Sequence, residues 1–448
     1  MSAQQAEAHA EDPDQQSPPP GREPGRFGAA LAAVRDGSGL LSLLAVVLAL
    51  VVGALLIAAA DPRVQETATY LTARPSDFFA AVGSAVGGAY TALLQGAFLD
   101  WTAGSATRVV RPLTETLTVA TPLIAAGLGV ALGFRAGLFN IGAQGQIILG
   151  AVLAGWIGFA LDLPVGLHLL LALVGGVVGG ALWGGVAGGL KARTGAHEVI
   201  VTIMLNYVAL RLVEFLLTLG AFQREGQANP ISPPVEASAQ LPQLLGSGFR
   251  LHAGLLLVLL AAAGVWWLLE RSTTGFALRA VGANPAAART AGISVPRSYV
   301  TVMLLSGGLA GLAGAVHLLG TEDSLTAGIS VPRSYVTVML LSGGLAGLAG
   351  AVHLLGTEDS LTAGIAGSFG FDAITVALLG RSRPGGVVLA GLLFGALQAG
   401  GVSMQARTGT PIDIVLVVQS LIVLFIAAPP LVRAIFRLRD PQARGARA

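Results

Sequence analysis

LLSLLAVVLALVVGALLIAAA, residues 40–60, carries no charge along its whole length. A helix needs about 20 consecutive apolar residues to cross the hydrocarbon core of a bilayer, and this run reaches that length. Ala58-Ala59-Ala60 at its end could pass for a signal-peptidase site. The apolar run is too long for a leader and the stretch before it too extended, so it reads as a first membrane span.

Runs of similar character follow at Leu117–Phe134, Ile147–Leu161, Leu167–Leu190, Val199–Leu219 and Ala253–Leu269, then at Tyr299–Leu319, Tyr335–Leu355, Phe371–Leu379, Val387–Val402 and Ile412–Ala428. Asp77–Phe98 is partly apolar but interrupted by glycines, and is expected to be an interfacial or re-entrant segment outside the membrane. The 448 residues are 54% hydrophobic and only 11% charged, with a mean hydropathy of +0.74. Soluble domains carry about 25% charged residues, so lipid must be the solvent here. The fold class is therefore an all-α integral membrane protein of about ten transmembrane helices. Net charge is +2 and no basic stripe runs through the body, which excludes a nucleic-acid partner. Cysteine is absent, which excludes disulfide and thiolate chemistry. Lys191 is the sole lysine.

Three regions are expected. Residues 1–36, rich in Gln, Pro, Glu and Asp, cannot bury a core and read as a disordered cytoplasmic extension. Residues 37–434 form the membrane domain, and 435–448 a basic cytoplasmic tail. Within the domain, Gly176, Gly180, Gly184 and Gly188 recur every four residues and make one smooth stripe down a helix. Gly307 with Gly311, and Gly391 with Gly395, repeat the device. Small residues let helix backbones approach closely in lipid, so the stripe reads as tight packing, with a sliding surface as the alternative.

Thr290–Ile329 recurs unchanged at Thr326–Ile365, so 290–365 is a tandem duplication of a 36-residue unit. Repeats of this period suggest solenoids, but two identical copies with one span each do not make one. The positive-inside rule weighs the extra span. With Arg22, Arg26 and Arg35 inside, ten spans also place Arg135, Lys191, Arg271–Arg297, Arg381 and the arginine-rich tail inside. Eleven spans would put the tail outside. One copy, the second, is therefore expected to fit poorly.

No segment matches the phosphate-cradling pattern GxxxxGK[ST], and no metal-ligand cluster or activated nucleophile is evident, so the chain is not expected to be an enzyme. After the Ala253–Leu269 span, Asn284 suits an N-cap, Pro285 the first helical position, and Gly292 a left-handed terminus. Ala286, Ala287, Ala288 and Arg289 lie between them. This describes a short helix on the cytoplasmic face, or an ordinary structured loop. Asn140, Gln144 and Gln146 offer uncharged hydrogen-bonding groups beside an apolar helix, where irregular backbone is tolerated only around a cavity or inside protein. Asn206 reads equally as ligand contact or interhelical glue. Asp372 sits at a helix break or simply caps one, and Arg211 pairs with Glu214.

The loop from Thr274 to Ile293 resembles the coupling-helix segment of permeases that serve bacterial ATP-binding-cassette importers of ribose-like sugars and nucleosides. FRAGLFNIGAQGQ (134–146), HEVIVTIMLNY (197–207) and GFDAITVALLG (370–380) resemble signatures of the nucleoside branch. The resemblance runs from about residue 40 to 435, and the duplicated span departs from it. It implies a plasma-membrane permease subunit that translocates a nucleoside or simple sugar. It also implies a cytoplasmic ATP-binding-cassette ATPase, a second permease subunit, identical or homologous, and an external solute-binding lipoprotein as partners. ATP would then be used by the partner subunits, with no cofactor in this chain. Residues 284–292 would couple to the ATPase, while Phe139, Asn140, Gln144, Gln146, Asn206, Tyr207 and Asp372 would line the substrate pathway. A secondary transporter should instead show inverted repeats and an intramembrane acid for ion coupling, and no inverted repeat is seen. A non-transporting membrane scaffold would fit the glycine stripes but leaves the capped loop without a purpose.

Overall fold

A computed structural model describes residues 38–226, 231–246, 248–321, 369–428, 431–432 and 435–436. Among them, nine helices are long and apolar enough to cross a membrane. In chain order the helices are α1 (Ser38–Ala60), α2 (Pro62–Ala68), α3 (Pro75–Ala97), α4 (Ala106–Arg135), α5 (Ala143–Ala160), α6 (Leu167–Thr194) and α7 (Glu198–Leu216). There follow α8 (Gly254–Arg271), α9 (Thr273–Ala283), α10 (Pro285–Thr290), α11 (Val295–Gly320), α12 (Phe369–Leu379), α13 (Pro384–Thr408) and α14 (Asp413–Ala427). The expected extension 1–36, the second repeat copy at Tyr335–Leu355 and nearly all of the tail lie outside the described residues.

One expectation about spans changes: the run at Ile412–Ala428 forms a helix of 15 residues, shorter than a full crossing. The short run at Phe371–Leu379 lies in α12. Residues 77–97 of the segment expected to be interfacial or re-entrant belong to one continuous helix, α3, long and apolar enough to cross by length and composition. Its glycines do not break it, because intrahelical bonds are the local way to satisfy main-chain groups away from water. It enters the bundle at one end only. Gly96 lies against Gly400 and Ser403 of α13, whereas Gly88 already meets Thr408, the last residue of that helix. The two therefore run antiparallel, and no residue of α3 before Ala89 is buried.

The centre of the bundle is α11, the first copy of the repeated unit, wrapped by α4, α5 and α6. A Cβ added to Gly180 would fall on the Gly307 carbonyl oxygen, and one added to Gly311 on the Gly176 carbonyl oxygen. Gly150 of α5 meets the same Gly311, and Gly129 of α4 meets the Ser306 carbonyl. Gly391 and Gly395 of α13 bring that helix onto Ile124 and Ala120 of α4. The glycine stripes thus close helix onto helix at backbone distance, where dispersion and weak Cα–H···O contacts replace the missing hydrophobic drive.

One end of the bundle gathers Arg135, Lys191 and the α9–α10 segment. Lys191 Nζ pairs with Glu198 Oε2 at 2.8 Å, and Arg135 Nε donates to the Ser382 carbonyl at 2.9 Å. The opposite end is closed by residues 231–253. There the His168 ring bonds Ser238 Oγ and the Ile157 carbonyl, and Leu241 N–H donates to the Leu319 carbonyl. The Asp100 carboxyl of this end is held below the usual carboxylate range by the Thr102 hydroxyl and the Arg407 guanidinium.

Gly180→Ala should lower the thermal unfolding midpoint in detergent, because the clash is with a carbonyl that cannot rotate away. Overpacking of this kind costs roughly 1–3 kcal/mol. Gly189→Ala on the same helix meets nothing within 4 Å and should be neutral or stabilising. Equal losses in the two variants would count against the packing argument.

Candidate functional site

The chain between α4 and α5 folds back sharply. Leu138 N–H returns to the Gly133 carbonyl, and Gly137 takes a φ of +74°, a left-handed conformation that suits glycine. This turn delivers Asn140 into the protein interior. Its Oδ1 accepts from Gly142 N–H at 2.9 Å, while its Nδ2 donates to Gln146 Oε1 at 2.9 Å and to Ser306 Oγ of α11 at 2.8 Å. Gln146 Nε2 returns a bond to Asn140 Oδ1 at 3.2 Å. From the other side, Asn206 of α7 accepts from Gly145 N–H at 2.8 Å and donates to the Ile141 carbonyl at 2.9 Å. The first turn of α5 is thereby held by amides from two neighbouring segments, and none of these side chains is charged.

Asn140, Gln144 and Gln146 are all buried. The amides of Asn140 and Gln146 are spent on each other, on Ser306 and on the Gly142 N–H, so the network orders the turn. Asn206 acts as interhelical glue in this geometry. Phe139 and Tyr207, the sequence neighbours of Asn140 and Asn206, are 55% and 42% exposed, and the Phe139 ring packs against Phe134 at 5.1 Å. Asp372 lies apart from it, on α12, accepting from Gln398 Nε2 of α13 at 3.1 Å. Ser306 escaped sequence reading because a lone serine in a Gly-rich helix gives no pattern. The Lys191–Glu198 pair had a signal, a solitary lysine shortly before the residue that opens the next helix. Arg211 and Glu214 pair at 2.7 Å, as their spacing implied.

At the basic end, Asn284 Oδ1 accepts from Ala286 N–H and Ala287 N–H at 3.0 and 3.1 Å. Pro285 opens α10, and Gly292 follows it at a φ of +81°. Ala286, Ala287 and Arg289 are exposed, whereas Ala288 is buried against Val281 and Val295. This segment touches the turn before Asn140 at its upstream end and leads into α11 at its downstream end. Upstream, Gly282 packs onto the Arg135 carbonyl and Ala136, with Gly137 against Gly282 Cα. Downstream, α11 carries Ser306 to Asn140. A displacement of α10 therefore has two rigid routes to the first turn of α5.

Comparison with known proteins gives the arrangement its place. The family described as the permease component of branched-chain amino acid transport systems matches residues 113–325 and 322–427. The chain is 35% identical to a guanosine ABC transporter permease protein of Bacillus subtilis, over 78% of this chain and 88% of that one. It is 35% identical to a glucose ABC transporter permease protein of Haloferax volcanii, over 70% and 75% of the two chains. A nucleoside ABC transporter permease protein of Lactococcus lactis is 32% identical over 77% and 85%. No solved structure matches. Nine apolar helices, an uncharged buried network and a capped helix at the basic end are thus the parts of a protein that belongs to this permease family, as the membrane-spanning permease subunit of an ATP-binding-cassette importer.

Proposed function

We propose that the imported solute is a neutral, hydroxyl-bearing molecule, a nucleoside in the first place and a simple sugar in the second. One observation carries this reading: an uncharged buried amide network is flanked in sequence by two exposed aromatic residues, Phe139 and Tyr207. Ring faces stack on a base or a sugar, and neutral surroundings impose no charge requirement on the solute. The names of the guanosine, nucleoside and glucose permeases point to the same two classes. The rings serve as the pathway-facing groups, with Asn140, Gln144, Gln146 and Asn206 positioning them and Asp372 flanking the pathway.

Energy comes from separate subunits, since the sequence holds no phosphate-cradling loop. A cytoplasmic ATP-binding-cassette ATPase receives α10, a second permease subunit completes the pathway, and an external solute-binding lipoprotein delivers the solute. The chain itself binds no cofactor. The basic end of the bundle faces the cytoplasm of a bacterial plasma membrane, with both termini on that side.

Phe139→Ala and Tyr207→Ala should each cut uptake of a purine nucleoside while leaving membrane insertion and thermal midpoint near wild type. Asn140→Leu should lower both, since it strands Ser306 and Gln146, at roughly 1–3 kcal/mol for unsatisfied buried groups. Uptake of a radiolabelled nucleoside beside a melting curve separates the two outcomes. Unchanged uptake in both aromatic variants would remove the pathway assignment.

Ala287→Glu should uncouple ATP hydrolysis from uptake in the reconstituted complex, because the residue is exposed on α10. Ala288→Glu should instead unfold the segment, being buried under Val281 and Val295. Transport and ATPase stimulation both at wild-type levels in Ala287→Glu would dismiss the docking role.

A cysteine placed at Arg444 should resist membrane-impermeant reagents in intact cells, and no native cysteine competes for the label. Labelling from outside would reverse the assigned orientation. Deleting Ala327–Thr362 should retain or improve uptake while leaving that tail protected.

A further inference from the structure

Between α9 and the start of α11 lies a cavity of about 300 Å³, at the low end of the range for ligand pockets. Its polar lining is unusual for this chain. Thr273 and Thr274 contribute from the first turn of α9, and Ser294, Arg297, Ser298 and Thr301 from one face at the start of α11. No carboxylate lines it. The Arg297 guanidinium makes no hydrogen bond or ion pair among the described residues, and neither do the Thr273, Thr274 and Thr301 hydroxyls. Ser298 Oγ donates to the Ser294 carbonyl and is not available as a donor to a ligand. One unpaired cation and several free hydroxyl donors around an open space suit a phosphate group, and nothing within the chain supplies one.

The level of the cavity favours a particular source. Residue 271 ends α8 and Val295 begins α11, two helices long and apolar enough to cross, so the segment between them lies at the edge of the hydrocarbon. Trp266 and Trp267, half exposed near the end of α8, mark the same level, as aromatic residues do at membrane–water interfaces. Leu278 and Ile293 complete the cavity with apolar surface. Basic pockets between spans at this depth suit phospholipid head groups.

We propose that this cavity binds the phosphate of an anionic phospholipid, with Arg297 as charge partner and the Thr273, Thr274 and Thr301 hydroxyls as hydrogen-bond donors. The bound head group bridges α9 to α11, the two helices on either side of α10. It ties the segment to the bilayer without contacting the Asn140 network. The assignment is independent of which solute the permease carries.

Native mass spectrometry of the full-length protein, titrated with phosphatidylglycerol, phosphatidylcholine or inorganic phosphate, tests it. Wild type should retain phosphatidylglycerol over phosphatidylcholine by about five-fold, the factor expected for one basic residue at an anionic surface. Arg297→Gln should abolish the preference, Arg297→Lys should keep part of it, and Thr274→Val should weaken it without removing charge. Arg333→Gln, at the repeat counterpart, should change nothing. Equal retention of the two lipids by wild type, or a preference that survives in Arg297→Gln, would overturn the site. Displacement of the lipid by millimolar inorganic phosphate in an Arg297-dependent way would overturn the lipid as its source. If Arg297→Gln fails to fold, the wild-type lipid comparison and the Thr274→Val titration still decide the matter.

Discussion

The backbone contact between Gly180 and Gly307 is the constraint on which the bundle depends. Lipid offers no hydrophobic reward for burying leucine, so α6 and α11 must gain their association from close approach. Glycine permits that approach by removing the only atom in the way. Gly311 extends the same logic, touching Gly176 and Gly180 on α6 and Gly150 on α5. Three helices thus meet at one small residue, and the position of α11 is set to within the width of a methyl group.

A helix placed so exactly can carry a polar contact that would otherwise be a liability. Ser306 sits one residue before Gly307, so the packing that seats the glycine also aims the hydroxyl at Asn140. Asn140 then bonds Gly142 and Gln146, which ties the first turn of α5 to α11. Because α11 continues directly from the α10 segment, while Gly282 bears on Arg135 and Ala136, the turn is gripped from both ends of the same loop. The loop and the turn are thus joined by the Gly282 backbone contacts and one hydroxyl.

The tandem repeat shows how little a membrane sequence says about its own neighbours. The two copies are identical, so periodicity, hydropathy and glycine spacing cannot tell them apart. Context can. The first copy follows α9 and α10, whose Val281 and Ala288 pack on Val295, and is drawn into the centre by Gly176, Gly180 and Gly184. The family matches, over 113–325 and 322–427, meet within the repeat and each take in one copy.

What the sequence determined alone was whatever depends on local chemistry. Apolar length gave eight of the nine long helices, and the glycine spacing gave the faces that meet. The cap at Asn284, the proline at the first position of α10 and the left-handed Gly292 were legible because each has a backbone cause confined to a few residues. α3 runs as one continuous helix through its glycines, and only its last third is buried in the bundle. Tertiary structure alone decided which polar groups face outward. Asn140 and Gln146 bond each other and Ser306, and Asn206, legible equally as ligand contact or interhelical glue, bonds the backbone of the α5 turn, while Phe139 and Tyr207 are left exposed. That distinction rests on partners such as Ser306 of α11, distant in sequence, and no local pattern encodes a hydrogen bond to a residue brought close only by helix packing.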